Sequence, residues 1–123
     1  GRGNGWVVGA LPMLIVNLEN GQERNKAIRI LKDISEALLP YQRTDGYFET
    51  LLNKPGTTNK ESSATALIAS GWMHGVRSGY LDRKFLRPGL KALHAVVAEL
   101  EYRDGLISLG NISGPTIPLH ILP

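Results

Sequence analysis

Apolar positions along the chain fall into four segments of two alternating kinds. From about Asn4 to Leu18 they come almost without a break, with Trp6, Val7, Val8, Ala10, Leu11, Met13, Leu14, Ile15 and Val16. That density predicts a helix apolar nearly all round, which must be surrounded by protein. Pro12 is expected to bend it, because its ring removes a backbone donor and crowds the preceding turn. Asn20-Gly21 then stops it. From about Glu23 to Leu39 the pattern changes. Ala27, Ile28, Leu31, Ile34, Ala37 and Leu38 make one stripe, while Lys26, Arg29, Lys32, Asp33 and Glu36 face away. This is an amphipathic helix with one wet side.

The alternation then repeats. A third helix, from about Ser63 to Arg77, is apolar and rich in small residues: Ala64, Ala66, Ala69 and Gly71 beside Leu67, Ile68, Trp72 and Met73. Small residues let helices pack closely without voids. A fourth begins near Leu81-Asp82, with Asp82 as its cap. Its expected core stripe is Phe85, Leu86, Leu90, Leu93, Val96, Val97 and Leu100, and Pro88-Gly89 should weaken or kink its first half. Each pair of helices is followed by an Asp-Gly turn and a short extended piece, at Asp45-Gly46 and Asp104-Gly105, 59 residues apart. This is an internal repeat. It divides the chain into a hairpin over about 4–39, a second over about 63–101, and an extended tail over 104–123.

Helices wet on one side should be an outer layer, and helices apolar all round an inner one. In a simple bundle of two hairpins every helix would show one wet face. The arrangement that fits is a closed ring of hairpins, of which two are too few to close. An open solenoid is the alternative, but its inner helices normally expose a concave face. The fold class expected is therefore all-α, two αα-hairpins forming part of an α/α barrel.

Composition narrows the function by exclusion. At 123 residues there is room for one domain. The net charge of +3 is mild, and no dense Lys/Arg run interleaves with aromatics, so nucleic acid is not an expected partner. The longest apolar stretch is interrupted by Pro12 and Asn17, short of the roughly 20 residues that span a bilayer, so no membrane is expected either. There is no cysteine, which excludes disulfides and thiolate metal sites and leaves the compartment open. His74, His94 and His120 lack metal-ligand spacing, and nothing implies a cofactor. The chain opens on Gly1 rather than methionine and shows no leader, which suggests a piece of a longer protein.

The densest chemistry lies in Gly1-Arg2-Gly3-Asn4-Gly5-Trp6. Glycines allow close approach of a ligand or another backbone. Arg2 carries a permanently charged fork suited to a carboxylate. Trp6 offers a broad face for a ring, or a core side chain. Asn4 is either a helix cap or a hydrogen-bonding group at a pocket mouth. Glu61 either lines a pocket or caps the helix that follows. Asp45 and Asp104 sit in turns, where the side chain bonds local backbone, so neither is a catalytic candidate. Asn111-Ile112-Ser113 matches a glycosylation acceptor, relevant only in a secretory pathway.

The opening hexapeptide resembles the Trp-x-Arg-Gly-Asn-Gly-Trp signature of the unsaturated rhamnogalacturonyl hydrolases and their unsaturated glucuronyl hydrolase relatives, glycoside hydrolase families 105 and 88. The leading tryptophan would lie one position before Gly1. Gln42 to Phe48 resembles the family's Gln-x-x-Asp-Gly-x-Trp element, with Phe48 for tryptophan. Glu61-Ser62-Ser63-Ala64-Thr65-Ala66 is similar to its Glu-[Ser/Thr]-Ser-[Ala/Gly]-[Ser/Thr]-Ala helix entry. Gly75-Val76-x-x-Gly79-x-Leu81-Asp82 resembles its Gly-Ile-x-x-Gly-x-Leu-Asp turn, and Asp104-Gly105 its later Asp-Gly. The match is collinear to about residue 107; Gly114-Pro115-Thr116-Ile117-Pro118 departs from it.

The resemblance implies the C-terminal portion of an (α/α)6 barrel acting on oligosaccharides left by polysaccharide lyases, whose terminal uronic acid carries a C4=C5 double bond. In that family a protonated aspartic acid delivers a proton to the vinyl ether, water adds across the bond, and the hemiketal opens to release the remaining sugar. The aspartate lies upstream of the signature, so no catalytic residue is expected in this chain. The resemblance implies Arg2 facing the substrate carboxylate and Trp6 against the sugar ring. Asn4 and Glu61 complete the candidate substrate-binding set. The partners expected are the unsaturated uronic-acid oligosaccharide and either the remainder of the barrel or a second copy. The alternatives are a non-catalytic helical-repeat module and another α/α-barrel carbohydrate enzyme.

Overall fold

The computed structural model describes residues 1–114. Among them are four α-helices, α1 (Arg2–Ile15), α2 (Gln22–Leu38), α3 (Ser62–Arg77) and α4 (Leu86–Ala98), then two short strands, β1 (Leu100–Arg103) and β2 (Leu106–Leu109). The inner pair is α1 and α3, packed on each other, with α2 outside α1 and α4 outside α3. The expected order of layers is therefore present.

The contact between α1 and α3 is made by residues without side-chain bulk. Gly1, Gly5 and Gly9 recur at one face of α1 and lie against Glu49, Ala64 and Leu67. The glycines of the opening motif that face inward thus approach another backbone, while Gly3 faces open space. α1 runs unbroken through the buried Pro12. It buries only Gly5, Val8, Pro12 and Ile15, and Trp6, Met13, Leu14 and Val16 remain exposed. The expectation of a helix enclosed all round is met by α3, where residues from Ser62 to Gly75 are buried or half-buried apart from Ser70. It is not met by α1 within the described residues.

Trp72 of α3 sits at the centre. Phe48 meets it edge-on with centroids 5.7 Å apart, and Phe85 lies tilted at 5.4 Å. Val8, Ile15, Leu31, Ile68 and Leu81 close the same cluster. Two stripes differ from expectation. In α2 the buried set is Ala27, Leu31, Ser35 and Leu38, with Ala37 exposed. In α4 it is Gly89, Ala92 and Val96, continuing from Phe85, while Leu90 and Val97 are exposed. Small residues face α3 because the helices are close: Gly89 has room for a methyl group only at 3.3 Å from Met73 and 3.5 Å from Trp72. Pro88 falls in the first turn of α4, where an absent N–H costs no helical bond.

The joints explain the motifs between helices. α3 ends in a Schellman motif: Tyr80 N–H donates to Gly75 O at 2.8 Å and Gly79 N–H to Val76 O at 3.1 Å, with Gly79 at φ 77°. Leu81 folds back onto Gly75, and Asp82 Oδ1 accepts from Lys84 N at 2.7 Å. Asp82 caps a 3-10 turn over Arg83–Phe85, however; α4 begins later than expected, at Leu86, with Phe85 and not Asp82 at its cap position. At the other end, Gln42 Nε2 donates to Gly46 O (3.1 Å) and Pro88 O (2.9 Å), while Asp45 Oδ1 accepts from Tyr47 N at 3.2 Å. Gly46, at φ 93°, lies so close to the Lys91 carbonyl that a methyl group would fall 2.7 Å from it. Gln42, Asp45, Gly46 and Phe48 are thus parts of one joint between the hairpins.

The fourth helix stops at Ala98, not near residue 101, and Leu100 belongs to an exposed strand rather than the core. β1 and β2 pair antiparallel with Arg103 opposite Leu106, so Asp104 and Gly105 alone make the turn. Both have positive φ, 50° and 79°, as a two-residue type I′ turn requires. The expected extended tail begins with this hairpin and is described to Gly114; His120 lies outside the described residues.

Candidate functional site

Three polypeptide segments meet at the start of α1: Arg2 itself, Glu61 at the head of α3, and residues 111–114. Arg2 lies in the first turn of α1, an unfavourable end for a cation, and α1 has no acidic residue there to offset it. Its guanidinium is held instead by backbone. Nη1 donates to Ser113 O at 2.6 Å and Nη2 to Gly114 O at 2.8 Å. No ion pair to Arg2 occurs among the described residues.

Glu61 is 1% exposed. It is the N-cap of α3: its carboxylate accepts from Ala64 N, from Ser63 Oγ at 2.7 and 2.9 Å, and from Ser113 N at 2.9 Å. Burial pushes its acidity towards the neutral form. The Ser113 and Ala64 N–H groups, the Ser63 hydroxyl and the Arg2 charge outweigh this and hold it below the ordinary glutamate range. Of the two sequence readings of Glu61, the cap is the one its geometry realises. Its oxygens are taken up by the protein and do not line an open pocket.

Asn4 is not a cap, because α1 begins at Arg2 with Gly1 at the cap position; Asn4 is exposed on the helix. At about 100° per residue Arg2 and Trp6 share one side of α1 and Asn4 points elsewhere. Trp6 is 61% exposed, which removes its reading as a core tryptophan within this chain. The structure therefore joins Arg2 to Glu61, leaves Trp6 open one turn along, and separates Asn4 from both.

Sequence reasoning missed the role of residues 111–113. Asn111 O accepts from Ser62 N at 2.8 Å, and Asn111 Nδ2 donates to Glu99 Oε2 at 2.9 Å. Glu99 also pairs with Lys60, whose ammonium lies 4.7 Å from the Tyr47 ring centroid. Thr50, Asn59, Lys60, Asn111, Ile112 and Ser113 surround a small polar hollow of about 130 Å³ beside the Arg2 clamp. No local signal announces these contacts, since Arg2 and Ser113 lie 111 residues apart.

An acid catalyst working near neutral pH needs a carboxyl whose proton is retained. Glu61, Asp45 and Glu99 are all displaced the other way. Burial raises Asp45, but Arg43 and the Tyr47 N–H more than reverse it, and Glu99 is lowered chiefly by its bond to Lys60. These three are fixed anions. Among the described residues no cluster of three or more His, Asp or Glu could hold a metal, and no helix is long and apolar enough to cross a membrane.

Residues 1–118 match Glycosyl Hydrolase Family 88. The chain belongs to that family. It is 32% identical over 108 residues to an unsaturated 3S-rhamnoglycuronyl hydrolase of Formosa agariphila, covering 86% of this chain and 29% of that protein. A protein of the same description from an Alteromonas species is 39% identical over 83 residues, 66% of this chain and 20% of the relative. The chain thus spans less than a third of the length of these curated relatives. Among solved structures, a possible GH105 member from Salmonella enterica serovar Paratyphi A superposes with a TM-score of 0.85 at 30% identity, over 97% of this chain and 31% of that one. A family 88 glycosyl hydrolase from Bacteroides vulgatus, 24% identical, shares the fold with a TM-score of 0.82. These are six-hairpin α/α-barrel enzymes, and the two family 88 hairpins described here are a segment of that architecture.

Proposed function

We propose that this chain forms one wall of the substrate pocket of a glycoside hydrolase that removes a terminal 4,5-unsaturated uronic acid from a lyase-generated oligosaccharide. Arg2 receives the uronate carboxylate, Trp6 lies against the sugar ring, and Asn4 bonds at the pocket mouth if a neighbouring hairpin brings it there. The reading is carried by the state of Arg2. It is a guanidinium at the positive end of a helix, held only by neutral carbonyls at 2.6 and 2.8 Å, with three of its five N–H donors unclaimed among the described residues. An anionic ligand would take up the donors that the two carbonyls leave free. The relatives from Formosa agariphila and Alteromonas are both unsaturated 3S-rhamnoglycuronyl hydrolases, which supports this reading.

The reaction adds a proton and a hydroxyl across C4=C5, and the hemiketal so formed opens to release the rest of the sugar. Asp45, Glu61 and Glu99 are all held ionised and do not serve as the proton donor, which in this reading is supplied by the remainder of the barrel. The remainder of the barrel also covers the exposed apolar side of α1. The test is loss of the ultraviolet absorbance of an unsaturated uronyl disaccharide. The complete barrel should consume it and the 123-residue chain should not. Turnover by the chain alone at the complete protein's rate would place the acid within these residues and overturn the assignment.

A further inference from the structure

We propose that Glu61 is a positioning residue for Arg2 and acts through the backbone at Ser113. The inference rests on Arg2 being the carboxylate-binding arginine, but its geometry is independent of any substrate. Ser113 is engaged from both sides. Its N–H donates to Glu61 Oε1 at 2.9 Å, and its carbonyl accepts from Arg2 Nη1 at 2.6 Å. The next carbonyl, Gly114 O, takes the other arm of the fork at 2.8 Å. The two groups belong to the peptides on either side of the Ser113 Cα, so the bond to Glu61 fixes the segment that presents the carbonyl to Arg2. Glu61 is itself immobile, because Ala64 N and Ser63 Oγ bind it at the head of α3. The position of the fork is thereby referred to α3, the most buried helix, rather than to the first turn of α1 where Arg2 is attached.

Substituting the carboxylate should free the fork without moving α1. Glu61→Gln replaces one acceptor oxygen by an amide NH2 group, so the side chain can no longer accept from both Ser113 N–H and Ala64 N–H. Ser113→Pro serves as the second variant: it leaves Ser63 and Ala64 on the Glu61 carboxylate and removes the donor to Glu61 and a hydroxyl lying 3.3 Å from Thr50 Oγ1, while its ring also fixes φ at 113 and restricts Ile112. Thr50→Val controls for that hydroxyl contact.

The first experiment uses the complete barrel with no substrate present. Amide exchange at Ser113 should quicken about tenfold or more in Glu61→Gln, and the Arg2 side-chain N–H resonances should narrow towards free rotation in both variants. Unchanged exchange and unchanged Arg2 resonances would overturn the proposal. The second uses the complete barrel with substrate. Both variants should raise KM for the unsaturated disaccharide about tenfold with kcat within about twofold, and Thr50→Val should leave both unchanged. In an Arg2→Ala background Glu61→Gln should add less than about twofold. Full additivity would make Glu61 a stabilising cap and nothing more. If the complete protein ignores the disaccharide, the functional reading falls, and the first experiment still decides the clamp.

Discussion

Gly71 of α3 lies against the carbonyl of Val8 in α1, so close that a methyl group on it would sit 2.2 Å from the oxygen. The Val8 carbonyl is the one whose helical donor would be residue 12, and residue 12 is a proline with no N–H. Freed from its own helix, the oxygen faces a Cα–H of the neighbour, a weak but real hydrogen-bond geometry. Pro12 and Gly71 are thus two halves of one contact. Gly71→Ala must separate the inner helices, and overpacking of this kind costs about 1–3 kcal/mol. Gly3→Ala, in the same sequence motif as Gly5 but facing open space, should stabilise by up to about 1 kcal/mol. Denaturant unfolding of the two variants checks the contrast; equal effects would remove it.

Trp72 should dominate the core. Truncation to alanine is expected to cost about 3–5 kcal/mol. Its indole Nε1 is buried with no partner among the described residues. Trp72→Phe therefore loses volume but also removes an unsatisfied donor, and should cost less than about half as much. A phenylalanine variant as unstable as the alanine one would show that the N–H is satisfied.

Acid should weaken the head of α3. Because Glu61 is more acidic in the folded chain than in the unfolded one, its contribution is fully present above about pH 5. It is lost as pH falls through the lowered folded value. Asp45 and Glu99 act with the same sign. Stability measured from pH 6 to pH 3 should fall less steeply in Glu61→Gln than in the parent, and parallel slopes would assign the acid sensitivity elsewhere.

Arg2→Ala in the complete barrel should lower kcat/KM for the unsaturated disaccharide by roughly 30-fold to a few thousand-fold. That corresponds to the loss of about 2–5 kcal/mol when one side of a desolvated charge pair is truncated. Arg2→Lys keeps the charge but not the fork, and should recover only part. The melting temperature should move by no more than a few degrees, since the fork holds only the 113–114 backbone. Unimpaired activity in Arg2→Ala would make the arginine structural.

The chain by itself should associate. Trp6, Met13, Leu14 and Val16 leave an apolar side of α1 open, beyond what a monomer ordinarily shows. Light scattering should find oligomers and a hydrophobic dye should bind; Leu14→Lys with Val16→Lys should reduce both. A monodisperse chain that binds no dye would end the argument that α1 has further neighbours.

The sequence alone determined the layers, because periodicity and residue size act locally: four helices in inner and outer pairs and the Asp-Gly turns could be read residue by residue. Family membership was also legible, since five collinear motifs survive without coordinates. Which face of each helix is buried was decided by the tertiary structure. In α4 the size of the gap to α3 selected Gly89 and Ala92 over Leu90, and distance between backbones is not written in hydrophobicity. The same holds for the site. Arg2 was visible as a chemical type, but its partners Ser113 and Gly114 are backbone carbonyls, identical at every position of a sequence, and only folding brings those two to the fork.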